Sequence, residues 1–371
     1  MEQFLRVDPP KGRIMWLNIQ TNFFFAKSLA HFLEAFNAFE METQSFMYNT
    51  IKKEFLILYQ EVLNQATFAS RVAIANPESV FSALMEVTNQ LGYGWFEVLN
   101  YDKINQEITI NVVDSIWAHI VGLTRQPACA FLTPVIAAAA EIAHKKSCEA
   151  IQESCKSSND PTCSFRVKIL DTPLERDLEQ IKRVPGGFPL QDISLLSRNL
   201  NLAEKGWFYF FGHPLVLIPA GLFPKLQHKF LTMDKEPKEL VNQLYNIFYL
   251  DATKVMRDIC ASPKIAYSLR ESPGLQKIVV FLLEEFHALG WGVPQQELMV
   301  FNEISREYHI VLANSVIAEN YPFPVNEIVC HAFTATFAAL IEVVHGQKYM
   351  GREMRCRVQG DATCEFHLGP T

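Results

Sequence analysis

The sequence predicts an α/β protein, in the α+β sense, built from two tandem copies of an antiparallel sheet packed against helices. Three observations predict it: a repeated cysteine spacing, a repeated helix–turn–hairpin pattern, and a composition able to fill two cores. The 371 residues are 49% hydrophobic and 20% charged, which is typical of globular domains and not of disordered chains or coiled coils. At about 100–200 residues per domain, this length allows two or three domains.

Six of the eight cysteines form two triplets, each with an internal spacing of 26 and then 8 residues. The triplets are Cys129, Cys155 and Cys163, followed 201 residues later by Cys330, Cys356 and Cys364. A spacing that recurs at one long period indicates an internal duplication.

The segments before the two triplets also match each other. An amphipathic helix pattern ends at a glycine–aromatic–glycine stop, residues 92–94 in the first copy and 290–292 in the second, and a predicted strand hairpin follows each stop. We therefore expect a first domain over residues 12–170, a linker over 171–204 and a second domain over 205–371. Two such copies are expected to pair within the chain as a pseudo-dimer, or with a second chain as a homodimer.

Charge and hydropathy exclude several classes of protein. The net charge is −7 and the isoelectric point is about 5.8, whereas a nucleic-acid-binding protein normally carries a basic face. The sequence contains neither a secretory signal pattern nor an uninterrupted apolar stretch of about 18 residues. We expect a cytoplasmic protein without a transmembrane segment, in which cysteines serve as thiols or metal ligands more often than as disulfides.

The second cysteine triplet has the composition of a zinc site. A predicted hairpin that turns at Gly360 places Cys356 opposite Cys364, close enough to share one metal ion. Cys330 opens a predicted helix, whose dipole favours a thiolate. Glu353 completes a set of four ligands, which suits tetrahedral zinc. The alternative is that these cysteines are small core residues.

The first triplet lacks the matching carboxylate, because Gln152 stands where the second copy has Glu353. Glutamine is not among the usual zinc ligands. Cys129, Cys155 and Cys163 are therefore candidate ligands whose fourth partner is Glu149, Glu153 or water, and a metal-free cluster is the competing interpretation.

The second copy resembles a known domain family. A cysteine at a helix start, then Glu-x-x-Cys-x7-Cys, then Gly-Asp-x-x-Cys-Glu-Phe resembles the 4-vinyl-reductase-like domain. That family is related in fold to TRAPP subunits of vesicle tethering and to the sensory domain of phenol-responsive transcription activators. The resemblance implies an apolar small-molecule pocket and, beside it, a zinc site whose ligands are Cys330, Glu353, Cys356 and Cys364. The first copy resembles the family more weakly and departs from it at Gln152.

The sequence predicts a protein without catalytic activity. It contains no G-x-S-x-G, no H-E-x-x-H and no complete phosphate-binding loop. A zinc ion held by three thiolates and a carboxylate keeps no open position for Lewis-acid chemistry. An output module is not expected either, because two copies and a linker use nearly the whole chain.

We therefore expect a zinc-stabilised tandem binding protein that holds a hydrophobic or aromatic small molecule, acts as a sensor or carrier, and passes its signal to a protein partner. The candidate pocket residues are Phe281, Trp291 and Phe301. Two alternatives remain: an assembly or tethering scaffold without a ligand, and an accessory protein of tetrapyrrole (chlorophyll-type) metabolism.

Overall fold

The structure is a computed structural model, and the predicted fold class is confirmed: three antiparallel sheets pack against helices. The described residues are 5–11, 13–16, 19–39, 41–65, 68, 76–122, 128–174, 191–192, 200–202, 207–233, 236–262, 265, 275–323, 325 and 327–371. Most of the predicted linker lies outside them. No described helix is both long and apolar enough to cross a membrane.

The first half of the chain contains seven strands and five helices longer than one turn within its described residues. In chain order they are β1 (Leu5–Asp8), β2 (Arg13–Trp16), β3 (Ile19–Phe25), α1 (Ala26–Asn37), α2 (Met41–Asn64), α3 (Pro77–Thr88), β4 (Trp95–Asp102), β5 (Glu107–Val113), α4 (Ile116–Val121), α5 (Leu132–His144), β6 (Lys146–Ser154) and β7 (Cys163–Pro173).

The second half repeats this order after one short strand, except that two short strands stand where the first half has β4. Its elements are β8 (Gln191–Asp192), β9 (Leu200–Leu202), β10 (Phe208–Phe210), β11 (His213–Pro219), α6 (Leu222–Leu231), α7 (Pro237–Ala261), α8 (Leu275–His287), β12 (Val293–Pro294), β13 (Val300–Asn302), β14 (Glu307–Ala313), α9 (Val316–Glu319), α10 (His331–His345), β15 (Tyr349–Arg355) and β16 (Cys364–Pro370).

Local sequence explains where these elements begin and which faces they bury. Asn76 caps α3 by accepting a hydrogen bond from the Ser79 backbone N–H, and Pro77 occupies the first helical position. Strand β5 alternates partly exposed and buried residues, as expected of a sheet with one face on the core. Helices α5 and α10 are buried on nearly every side, and this places each of them at the centre of its half.

One sheet is shared by the two halves. Its seven strands run in the order β8-β1-β2-β3-β11-β10-β9, and β3 pairs antiparallel with β11 so that Phe23 lies opposite Leu217. Each half also has a sheet of its own, β4-β5-β7-β6 in the first and β12-β14-β16-β15 in the second, where β13 also pairs with β14. The halves thus associate within one chain through β3 and β11, the last strand before the first helix of each half.

The aromatic residue of each glycine–aromatic–glycine stop donates a hydrogen bond to the other half, and this strengthens the association. The Tyr93 hydroxyl donates to the Leu217 carbonyl at 2.7 Å, and the Trp291 indole N–H donates to the Phe23 carbonyl at 2.8 Å. Gly92 has φ 87°, and a Cβ there would lie 2.9 Å from the Leu215 carbonyl oxygen. Glycine is required at that position both for its backbone conformation and for the close approach of β11.

Candidate metal centres

The second half brings together the four residues that the sequence selects there. Cys330 precedes α10, Cys356 follows β15, and Cys364 begins β16. All three side chains are buried. The Cys364 sulfur lies 3.6 Å from the Cys330 sulfur and 3.9 Å from the Cys356 sulfur. One donor atom from each of these cysteines and from Glu353 falls within 4.8 Å of every other.

Glu353 enters this cluster from β15, where the pairing with β16 becomes irregular between Glu353 and Arg355. One carboxylate oxygen accepts a hydrogen bond from the Cys330 backbone N–H at 2.7 Å. The other oxygen is buried and has no hydrogen-bond partner among the described residues. A buried carboxylate oxygen without a partner is costly, and a bound cation would satisfy it.

Electrostatics also favour a cation at this cluster. Burial, together with the nearby Cys356 sulfur, raises the pKa of Glu353 to about 9. Hydrogen bonds from Cys330 and Cys364 lower the pKa of Cys356 to about 2, and burial raises the pKa of Cys330. Burial thus opposes ionisation of Glu353 and Cys330, while hydrogen bonds favour the thiolate of Cys356. A divalent ion would allow the other groups to ionise as ligands.

The geometry fits zinc. A zinc–sulfur bond of about 2.3 Å in a tetrahedron separates two sulfur ligands by about 3.8 Å. The separations from the Cys364 sulfur, 3.6 and 3.9 Å, lie on either side of that value. Three thiolates and a carboxylate would close the coordination sphere, and such a centre can stabilise the fold but offers no site for a substrate.

The first half forms a matching cluster of three sulfurs. Cys129, Cys155 and Cys163 are buried, and their sulfur atoms are separated by 3.6, 3.6 and 3.8 Å. Hydrogen bonds from Cys129 and Cys163 lower the pKa of Cys155. Among the described residues, no histidine, aspartate or glutamate joins this set.

The two glutamates considered as substitutes for Glu353 are directed elsewhere. Glu149 and Glu153 are exposed on the outer face of β6, and Glu153 accepts from the Arg166 guanidinium at 2.7 Å. Gln152 lies on the inner side, where its amide N–H donates to the Ser154 carbonyl. Its side-chain oxygen is buried without a partner among the described residues.

Two serines beside the clusters were missed by sequence reasoning. The Ser115 hydroxyl lies 3.0 Å from the Cys129 sulfur, and the Ser315 hydroxyl lies 3.2 Å from the Cys330 sulfur. Each serine precedes a short helix, α4 or α9. The signal was visible in the sequence, since an Asp-Ser or Asn-Ser pair ends the predicted hairpin in both copies.

The three candidate pocket residues have different surroundings. The Trp291 ring stacks on Phe286 and on Phe333, with centroids 4.9 and 4.8 Å away. Phe301 is half-buried and stacks on Tyr308 at 4.4 Å, and Phe281 is half-buried on α8. No ring contact joins two of the three within the described part of the chain. A groove of about 570 Å³ lies elsewhere, lined by His31 and by residues of α7.

Comparison with known proteins returns structural likenesses only. No protein-family model matches the sequence, and no curated protein is significantly similar to it. The solved structures that match include the phenol-responsive sensory domain of the transcription activator PoxR with phenol, at 15% identity and TM-score 0.38, over 48% of this chain and 88% of that one.

Two further matches belong to the other groups that the sequence resembles. Trafficking protein particle complex subunit 3 from Naegleria fowleri, covalently bound to palmitic acid, matches at 15% identity and TM-score 0.34, over 40% of this chain and 93% of that one. A vinyl-4-reductase family protein from Methanocaldococcus jannaschii matches at 12% identity and TM-score 0.23, over 41% and 90%. Likenesses of this extent carry no argument about ligand or activity.

Proposed function

We propose that the protein is a non-catalytic tandem binding protein that is stabilised by zinc in its second half and holds a hydrophobic small molecule as a sensor or carrier. The observation that carries the metal part is the buried set of Cys330, Glu353, Cys356 and Cys364. A buried carboxylate oxygen without a partner belongs to the same cluster as the three sulfurs, and this supports a resident cation.

The absence of catalysis is proposed from the same cluster. Four protein ligands fill a tetrahedral zinc ion, so the centre would contribute folding energy instead of activating a substrate. Zinc at this site would join the start of α10 to β15 and β16. Helix α10 also carries Phe333, which stacks on Trp291, so the metal would order one wall of the proposed pocket.

The small-molecule part of the proposal is supported by the aromatic residues of the second half. Trp291 is anchored by its hydrogen bond to Phe23, while Phe281 and Phe301 are only half-buried. Half-buried rings are suitable contacts for an apolar ligand. We expect the ligand to contact Phe281 and Phe301 directly.

Native mass spectrometry of the untagged chain, compared with its denatured mass, tests both parts. We expect at least one zinc ion per chain, together with extra mass from a retained organic molecule. The variant Cys356→Ser should lose one zinc ion, whereas the control Cys260→Ser should keep it, because Cys260 is a buried cysteine of α7 outside both clusters. Equal zinc content in the two variants would contradict the metal assignment.

A separate variant tests the small-molecule part of the proposal. Phe281→Ala should reduce the retained organic mass without changing the zinc content. Unchanged ligand retention in this variant would contradict the proposed pocket.

A scaffold without a ligand is the second candidate, and one observation favours it. The faces of Trp291 are covered by Phe286 and Phe333, so protein rings already fill the space beside it. A chain that carries zinc, retains no organic molecule and co-purifies with a stable protein partner would favour the scaffold over the carrier.

A further inference from the structure

We propose that the first cysteine cluster holds a zinc ion with only three protein ligands, so that its fourth position binds an exchangeable small donor, namely water or the anionic oxygen or sulfur of a small ligand. This inference rests on the proposed zinc-binding function and extends it, because it assigns different roles to two metal centres on one duplicated scaffold.

The three sulfurs are spaced for a tetrahedral ion. Their separations of 3.6, 3.6 and 3.8 Å agree with the value of about 3.8 Å that tetrahedral zinc requires. In the second cluster the separations from the Cys364 sulfur, 3.6 and 3.9 Å, are similar. Both halves therefore offer three clustered sulfurs, and they differ in the side chain available as a fourth ligand.

In the second half Glu353 would be the fourth ligand. Its carboxylate also accepts a hydrogen bond from the Cys330 backbone N–H. In the first half the same strand position holds Gln152, a neutral amide that donates to the Ser154 carbonyl. The first site therefore has one negative charge fewer than the second. A neutral amide oxygen competes poorly with an anion for zinc, so an anionic donor can take the fourth position.

Nearby carboxylates do not replace Glu353 within the described residues. Glu149 and Glu153 are exposed on the opposite face of β6, and the Asp160 carboxylate accepts the Cys155 backbone N–H at 2.8 Å. The hydroxyl of Ser157 lies 3.1 Å from the Cys155 sulfur, where the second half has Val358. Catalytic and ligand-binding zinc sites share this pattern of three protein ligands and one open position.

Cobalt substitution provides the test, because the visible d–d bands of tetrahedral cobalt report on every ligand. The full-length protein is produced with cobalt, its cobalt content is counted by elemental analysis, and azide is added as a small anionic probe. We expect two cobalt ions per chain and an azide-induced spectral shift that corresponds to one of them. Gln152→Glu should abolish the shift by closing the fourth position.

Two further variants test the reverse substitution in the second site and provide a control. Glu353→Gln should open the second site and add a second azide-dependent shift, while Glu149→Gln, on the exposed face of the same strand as Gln152, should leave the response unchanged. Two bound cobalt ions with an azide-insensitive spectrum would overturn the inference. A single ion that is lost in Cys356→Ser would also overturn it but would leave the proposed zinc site of the second half intact.

Discussion

The two cysteine clusters have closely similar sulfur geometry but differ in the group that faces the sulfurs. In the second half a carboxylate from Glu353 lies within the cluster, and in the first half the amide of Gln152 turns to the backbone instead. Both clusters keep a serine hydroxyl beside the first cysteine. The comparison teaches that the duplicated fold preserves the three-sulfur frame, while a single side chain decides how much negative charge is available to a metal.

The largest expected effect is a difference in stability between cysteine variants of the two clusters. Cys356→Ser removes a ligand from the four-ligand centre and should lower the free energy of unfolding by more than about 4 kcal/mol, because structural zinc binding is coupled to folding. Cys155→Ser in the three-ligand centre should lower the free energy of unfolding by a smaller amount. Urea denaturation with parallel zinc analysis measures both, and equal losses would remove the distinction between the centres.

The crossed hydrogen bonds give the next largest effect. Trp291→Phe removes the donor to the Phe23 carbonyl and leaves a gap between two stacked rings, so we expect a loss of about 3 kcal/mol. Tyr93→Phe removes only a hydroxyl and should cost about 1–2 kcal/mol. Equilibrium denaturation is the measurement. A larger loss for Tyr93→Phe would show that the first half contributes more to the association.

An ion pair between the halves corresponds to a ring contact at the matching place on the other side of their association. Arg13 of β2 forms a bidentate contact with Glu319 of α9, with a shortest distance of 2.9 Å, and the Glu319 side chain is 7% exposed. At the matching place, Trp207 packs on His119 at 4.9 Å. Arg13→Gln should cost about 1.5–3 kcal/mol, and added salt should weaken the wild type more than the variant. Parallel salt dependence of the two proteins would contradict this assignment.

The smallest expected effect concerns pH and one contact between the halves. His31 of α1 lies 2.8 Å from Asp251 of α7, and this hydrogen bond raises the pKa of His31. The stabilisation is therefore complete below the unfolded pKa of about 6.5 and is lost as pH rises through the higher folded pKa. The His31 side chain is 40% exposed, so we expect less than about 1 kcal/mol.

A second ion pair between the halves supplies the control for this pH dependence. Lys225 of α6 pairs with Glu54 of α2 at 2.6 Å, and this contact contains no histidine. His31→Asn should cost more stability at about pH 6 than at about pH 8.5, whereas Lys225→Met should cost the same at both. A pH-independent effect of His31→Asn would show that the histidine acts through packing alone.

Sequence reasoning predicted the elements around each cluster because their signals are local. The start of α10 at Cys330, the hairpin between Cys356 and Cys364 and the glycine stops depend on residues within one or two turns of each other. It could not decide the fourth ligand of the first cluster. Gln152, Glu149 and Glu153 lie within five positions, and which of them faces the sulfurs depends on the register of β6 against β7.

The sequence by itself determined that the chain is a duplication and that its cysteines come in two groups of three, because spacing and period are properties of the chain alone. Only the tertiary structure decided that β3 pairs with β11, that Tyr93 and Trp291 each donate to the opposite half, and that Trp291 is enclosed by rings. The physical reason is that Phe23 and Leu217 lie far apart in the chain. Any exposed strand edge can accept another strand, and the choice between them depends on how both halves pack.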